Sequence, residues 1–78
     1  MTYKVIDTEY DTISSEAKTL KRAIFNLECS TGYQIEKYGS KWRVFHWEDG
    51  AEFASIYDTR EKCVWDIEFR TGYTIVKE

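Results

Sequence analysis

Seventy-eight residues allow one small hydrophobic core and leave no room for a second domain, so residues 1–78 are read as a single unit. The composition, 42% hydrophobic, 17% aromatic and 32% charged, suffices for folding and excludes a disordered polar chain. A net charge of −3 argues against binding nucleic acid by neutralising a run of phosphates, which needs a basic excess.

The chain opens on Thr2–Ile6, a short β-prone run, followed by a polar connection through Asp7, Glu9, Asp11 and Thr12. Either Ser14 or Ser15 can accept from the orphan amides of a helix start, and Ala17, Leu20, Ala23, Ile24 and Leu27 then form one apolar stripe. Gly32 suits a left-handed C-cap, with Tyr33 as the capping hydrophobe and the first residue of a strand to Tyr38. Gly39-Ser40 suits a two-residue hairpin turn into a strand over Lys41–Trp47. A longer turn through Glu48-Asp49-Gly50 leads to a third strand over Ala51–Ile56. Asp58-Thr59-Arg60-Glu61 reads as a capping box with Asp58 as the cap, and Cys63, Val64 and Ile67 make the second helix's inner stripe. Gly72 ends that helix and Tyr73–Lys77 forms the last strand.

Sliding the chain against itself by about 40 residues aligns Thr19–Lys37 with Thr59–Lys77. Thr19/Thr59, Glu28/Glu68, Thr31/Thr71, Gly32/Gly72, Tyr33/Tyr73, Ile35/Ile75 and Lys37/Lys77 are identical, with apolar matches and the near-equivalents Arg22/Lys62 and Asn26/Asp66 between them. The expected fold is therefore α+β in the order β-α-β-β-β-α-β, an internally repeated plan. It has a four- or five-stranded, mainly antiparallel sheet with two helices on one face.

Pairing Tyr38 with Lys41 sets the sheet's faces, because side chains alternate with period two. Tyr33, Ile35, Trp42, Val44 and His46 are expected to face the helices, joined by Ala54 and Ile56. Gln34, Glu36, Tyr38, Lys41, Arg43, Phe45, Trp47, Phe53 and Ser55 take the other face, with Glu36 opposite Arg43 and Phe45 opposite Phe53. On the helices, Phe25 with Cys29 and Trp65 with Phe69 fall one turn apart, opposite the inner stripes.

Little in the chain points to chemistry. His46 is the single histidine, flanked by aromatics in a strand, where packing is the ordinary role. Cys29 and Cys63 have no metal spacing and occupy different places in the repeat, so they are read as free thiols. Glu48, Asp49 and Glu52 lack a calcium-loop pattern, and all four glycines belong to turns, so no metal, cofactor or catalytic residue is expected. Few cysteines, no signal-peptide pattern and no apolar run near about 18 residues predict a cytoplasmic protein with no membrane segment.

The predicted element order resembles the ferredoxin-like RNA-recognition fold and, trimmed of its outer strands, a double-stranded RNA-binding domain. Arg43-Val44-Phe45-His46-Trp47 lacks the small residues of the first family's signature. Arg60-Glu61-Lys62 lacks the lysine cluster of the second. In general style the chain resembles the small phage or mobile-element proteins that block host nucleases or defence complexes. The expected function is a non-enzymatic protein-interaction module, self-associating as a homodimer, with Phe25, Trp65, Phe69, Tyr38, Arg43, Phe45, Trp47 and Phe53 at the contact. The alternative is a single-stranded RNA binder using the sheet aromatics.

Overall fold

Two threonines one repeat apart start the helices. Thr19 and Thr59 are extended (φ −129° and −131°), and their hydroxyls accept from the amides of Arg22 and Lys62. In the computed structural model, which describes residues 1–78, the elements are β1 (Tyr3–Asp7), β2 (Thr12–Ala17), α1 (Leu20–Thr31), β3 (Tyr33–Tyr38), β4 (Lys41–His46), a 3-10 turn (Ala51–Phe53), β5 (Ser55–Tyr57), α2 (Arg60–Thr71) and β6 (Tyr73–Lys77). Both helices end as the sequence predicts. Gly32 and Gly72 are left-handed at φ 82° and 79°, and their amides donate to the carbonyls of Glu28 and Glu68.

Three boundaries differ from expectation. Ser14 and Ser15 do not cap a helix; they lie in β2, an additional strand that pairs antiparallel with β1 after a turn in which Asp11 takes φ 54°. Thr12 and Ile13 are β-branched and favour this extended state over a first helical turn. Asp58 is not the second cap, because its carboxylate is drawn away by Lys41 at 2.6 Å. The strand expected over Ala51–Ile56 is replaced by the 3-10 turn and the shorter β5. His46 accepts from the amides of Asp49 and Gly50, and Gly50, at φ 81°, then curls the chain through residues 51–53.

The curl resets the register to Val44↔Ser55, Arg43↔Ile56 and Trp42↔Tyr57. Ser55 therefore shares the face of Val44, Ile56 shares the outer face of Arg43, and Phe53 never comes opposite Phe45. Tyr57 supplies the inward side chain expected of Ile56 and packs against the core.

A single four- or five-stranded sheet does not form either. There are two three-stranded antiparallel sheets, β2-β1-β6 and β3-β4-β5. Each combines a hairpin from one half of the chain with the last strand of the other half. The equivalence extends beyond the repeat visible in the sequence: Val5 pairs with Ile75 as Val44 pairs with Ile35. The amide of Thr8 donates to Gly72 at 3.0 Å, as that of Trp47 donates to Gly32 at 3.0 Å. Thr2 and Glu78 exchange two backbone bonds, of 3.1 and 2.8 Å, at the place where the Gly39-Ser40 turn joins the other pair of strands. With a second hairpin ahead of the first helix and strands exchanged between halves, the likeness in element order to the two RNA-binding folds falls away.

Each helix packs against strands of both sheets, so one hydrophobic cluster serves the whole chain. Six of its seven members come in equivalent pairs, Val5 with Val44, Ile24 with Val64 and Leu27 with Ile67, and the seventh, Cys63, stands where the first half has the buried Ala23. Burying Leu27 and Ile67 contributes about 1.5–3 kcal/mol each. Glu28 and Glu68, identical in the repeat, reach from the helices to the edge strands, where each carboxylate accepts from the amide of Ile35 or Ile75 at 2.8 Å. That bond occupies a donor on an edge that would otherwise be open to another strand. Burial pushes the Glu28 carboxyl above its ordinary pKa, and the bond from Ile35 pulls the other way.

Candidate interaction surfaces

The residues expected at a partner contact separate into those already engaged within the chain and those left bare. Tyr38, Arg43 and Phe45 belong to the first group. Glu36 lies opposite Arg43 as expected and accepts from its Nε and terminal nitrogen at 2.9 and 2.6 Å. That fixes the guanidinium 5.0 Å from the Tyr38 ring centre and 5.6 Å from that of Phe45. Phe45 is only 9% exposed. The expected open row of aromatics on this sheet face is therefore not formed: Phe45 is buried and Phe53 lies off the sheet in the 3-10 turn.

Phe25 is half-engaged. It points outward as predicted, but Arg22, three residues earlier, carries its guanidinium to 4.9 Å from the ring centre. Together with Cys29, Tyr33, Gln34, Glu36 and Trp47 it lines a shallow groove of about 460 Å³ between α1 and β3. Trp47 falls just beyond β4, exposed and stacked at 6.0 Å on His46. The His46 ring meets Tyr33 edge-on at 5.0 Å and its Nδ1 accepts from the Glu48 amide.

Trp65 and Phe69 remain bare. They are 62% and 92% exposed, one turn apart on the outer side of α2, as the helical spacing predicts. Lys62 stands where Arg22 stands in the first half, yet it leans toward Asp58, at 4.0 Å, and leaves the indole without a cation above it. With Tyr57, Asp66 and Arg70 these residues line an open groove of about 590 Å³.

The floor of that groove was not anticipated. Asp66 is a buried acid, 9% exposed, whose two carboxylate oxygens accept from the Tyr57 hydroxyl and from Arg70 Nε. The bond to Asp66 raises the pKa of both the Tyr57 phenol and the Arg70 guanidinium. The i, i+4 spacing of Asp66 and Arg70 is the sequence signal for it; matching Asp66 with Asn26 in the repeat conceals it. The chemical result is a patch with two bare aromatic faces and two exposed cations, Lys62 beside Asp58 and Arg70 paired with the buried acid.

Phe53 is a further bare aromatic, 72% exposed in the 3-10 turn. Glu48, Asp49 and Glu52 around it are exposed and make no ion pair.

Cys29 is an exposed free thiol, whereas Cys63 lies in the core with its thiol pushed up to about 11 by burial and the charge of Asp66. No three His, Cys, Asp or Glu side chains converge on a common point. No helix is long and apolar enough to cross a membrane. No family model matches the chain, and no curated protein or solved structure matches it either.

Proposed function

We propose that the protein is a non-enzymatic protein-interaction module that self-associates through the outer face of α2. The carrying observation is the bare pair Trp65 and Phe69. Large aromatics exposed together on a rigid helix lose little conformational freedom on binding and are the residue types that dominate contact energies. The Tyr57–Asp66–Arg70 cluster supports this reading, since it fixes the groove floor before any partner arrives. A role in blocking a host nuclease or defence complex, which the general style of the chain implies, would use the same face.

Light scattering between about 1 µM and 1 mM tests the reading. The mass should rise toward that of a dimer with concentration, and Trp65→Glu should hold it at the monomer with the circular dichroism unchanged. A wild-type protein that stays monomeric throughout contradicts self-association.

A further inference from the structure

We infer, building on the self-association proposed above, that the α2 groove receives the acidic 3-10 turn of a second copy, with Phe53 entering between Trp65 and Phe69. Two independent features match. The first is shape and polarity: Phe53 is the only other phenylalanine or tryptophan that is highly exposed and has neither a cation nor a stacking ring against it, and it stands on a turn pinned by two bonds to the His46 carbonyl. Tyr10, on the first hairpin turn, is as exposed, but its phenol would need a partner once buried.

The second feature is charge. From Val44 to Thr59 the chain holds no lysine or arginine, and Glu48, Asp49 and Glu52 on the turn are unpaired. The groove's lining is positive by one charge: it holds Lys62, which Asp58 approaches at 4.0 Å, and Arg70, which is paired with the one lining acid, the buried Asp66. An acidic turn and a cationic rim attract each other and set the orientation of encounter, and they would disfavour docking turn to turn or groove to groove.

Position favours closure. Phe53 precedes the groove residue Tyr57 by four positions, so the two lie within about 14 Å even if the chain between them is fully extended. One partner of ordinary interface size covers that span, so the turn of each copy can enter the groove of the other in a single two-fold contact. The self-complementary patch thus predicts a closed dimer rather than an open chain of molecules.

A charge exchange tests the pairing in the full chain. The double substitution Glu48→Lys/Glu52→Lys makes turn and groove both positive, and Lys62→Glu makes both negative, so each variant alone should self-associate about tenfold more weakly than wild type. In an equimolar mixture of the two, every turn again meets a groove of opposite charge, and the mixed dimer should regain wild-type affinity. All three positions, Glu48, Glu52 and Lys62, are exposed, and Phe53→Ala should weaken association without altering the thermal transition. If the mixture associates no better than either variant alone while Trp65→Glu still abolishes the dimer, the turn is not the occupant, although α2 remains the contact. If wild type never associates, the reading beneath this one fails first.

Discussion

The two halves share a plan down to single hydrogen bonds, yet their outer helix faces have diverged. In the first half Arg22 lies over Phe25, Asn26 stands where the second half has Asp66, and Cys29 stands where it has Phe69. In the second half Lys62 turns to Asp58, Asp66 is locked by Tyr57 and Arg70, and Trp65 and Phe69 are bare. What both halves keep serves the fold: the threonine N-caps, the glycine C-caps, the glutamates at the edge strands and the core pairs. What differs lies mainly along the outer helix faces, and the exposed apolar area there is larger on one side only. A duplicated scaffold with one dressed face is what a single binding surface on a symmetric frame would require.

The largest expected effects test the shared part. Leu27→Ala and Ile67→Ala each remove a fully buried side chain from equivalent sites, and each should cost about 3 kcal/mol in urea unfolding. Costs that differ by more than about 1.5 kcal/mol would break the equivalence of the two cores.

Glycine to alanine at the C-caps should separate the halves. Both positions are left-handed, a conformation that costs a non-glycine residue about 1–2 kcal/mol. A Cβ on Gly32 would also lie 2.8 Å from His46 Nε2 and 2.9 Å from Trp47 Cδ1, whereas on Gly72 it meets only Thr8 Oγ1 at 3.4 Å. Gly32→Ala should therefore be the more destabilising by about 1 kcal/mol, through overpacking, and equal midpoints would contradict that account.

Smaller still is the effect of the buried thiol. Its folded pKa, about 11, lies above the ordinary value of 9.0, so the stability it contributes is complete below pH 9 and is lost as pH rises toward 11. Cys63→Ala, the residue already present at the equivalent Ala23, should flatten that part of the alkaline profile. In the native protein a thiol reagent at pH 8 should label Cys29 and spare Cys63 until the chain unfolds.

How far the chain announces this structure depends on the range of the interactions. Gly32, Gly72 and the Gly39-Ser40 turn act through local backbone geometry, and they correctly fix both helix ends, the Tyr38↔Lys41 register and the Glu36–Arg43 pair. Helical spacing likewise places Phe25, Trp65 and Phe69 outward. The misses are of two kinds. Ser14 and Ser15 resemble caps, and only pairing with β1 makes them a strand; exchanging last strands between halves is a choice between equivalent partners that periodicity cannot distinguish. At the surface, the curl after Gly50 moves Phe53 off the sheet, and the Tyr57–Asp66–Arg70 cluster unites residues from β5 and α2 that no local pattern joins.

The central claim is that one of the two related helix faces is the contact, and it is tested most directly by sedimentation equilibrium of Trp65→Glu beside Phe25→Glu. Both changes put a carboxylate at the same place in the repeat, on exposed side chains. Trp65→Glu should give a monomer at concentrations where wild type is dimeric, and Phe25→Glu should leave the dimer intact. Loss of the dimer in Phe25→Glu, or its survival in Trp65→Glu, would contradict the assignment.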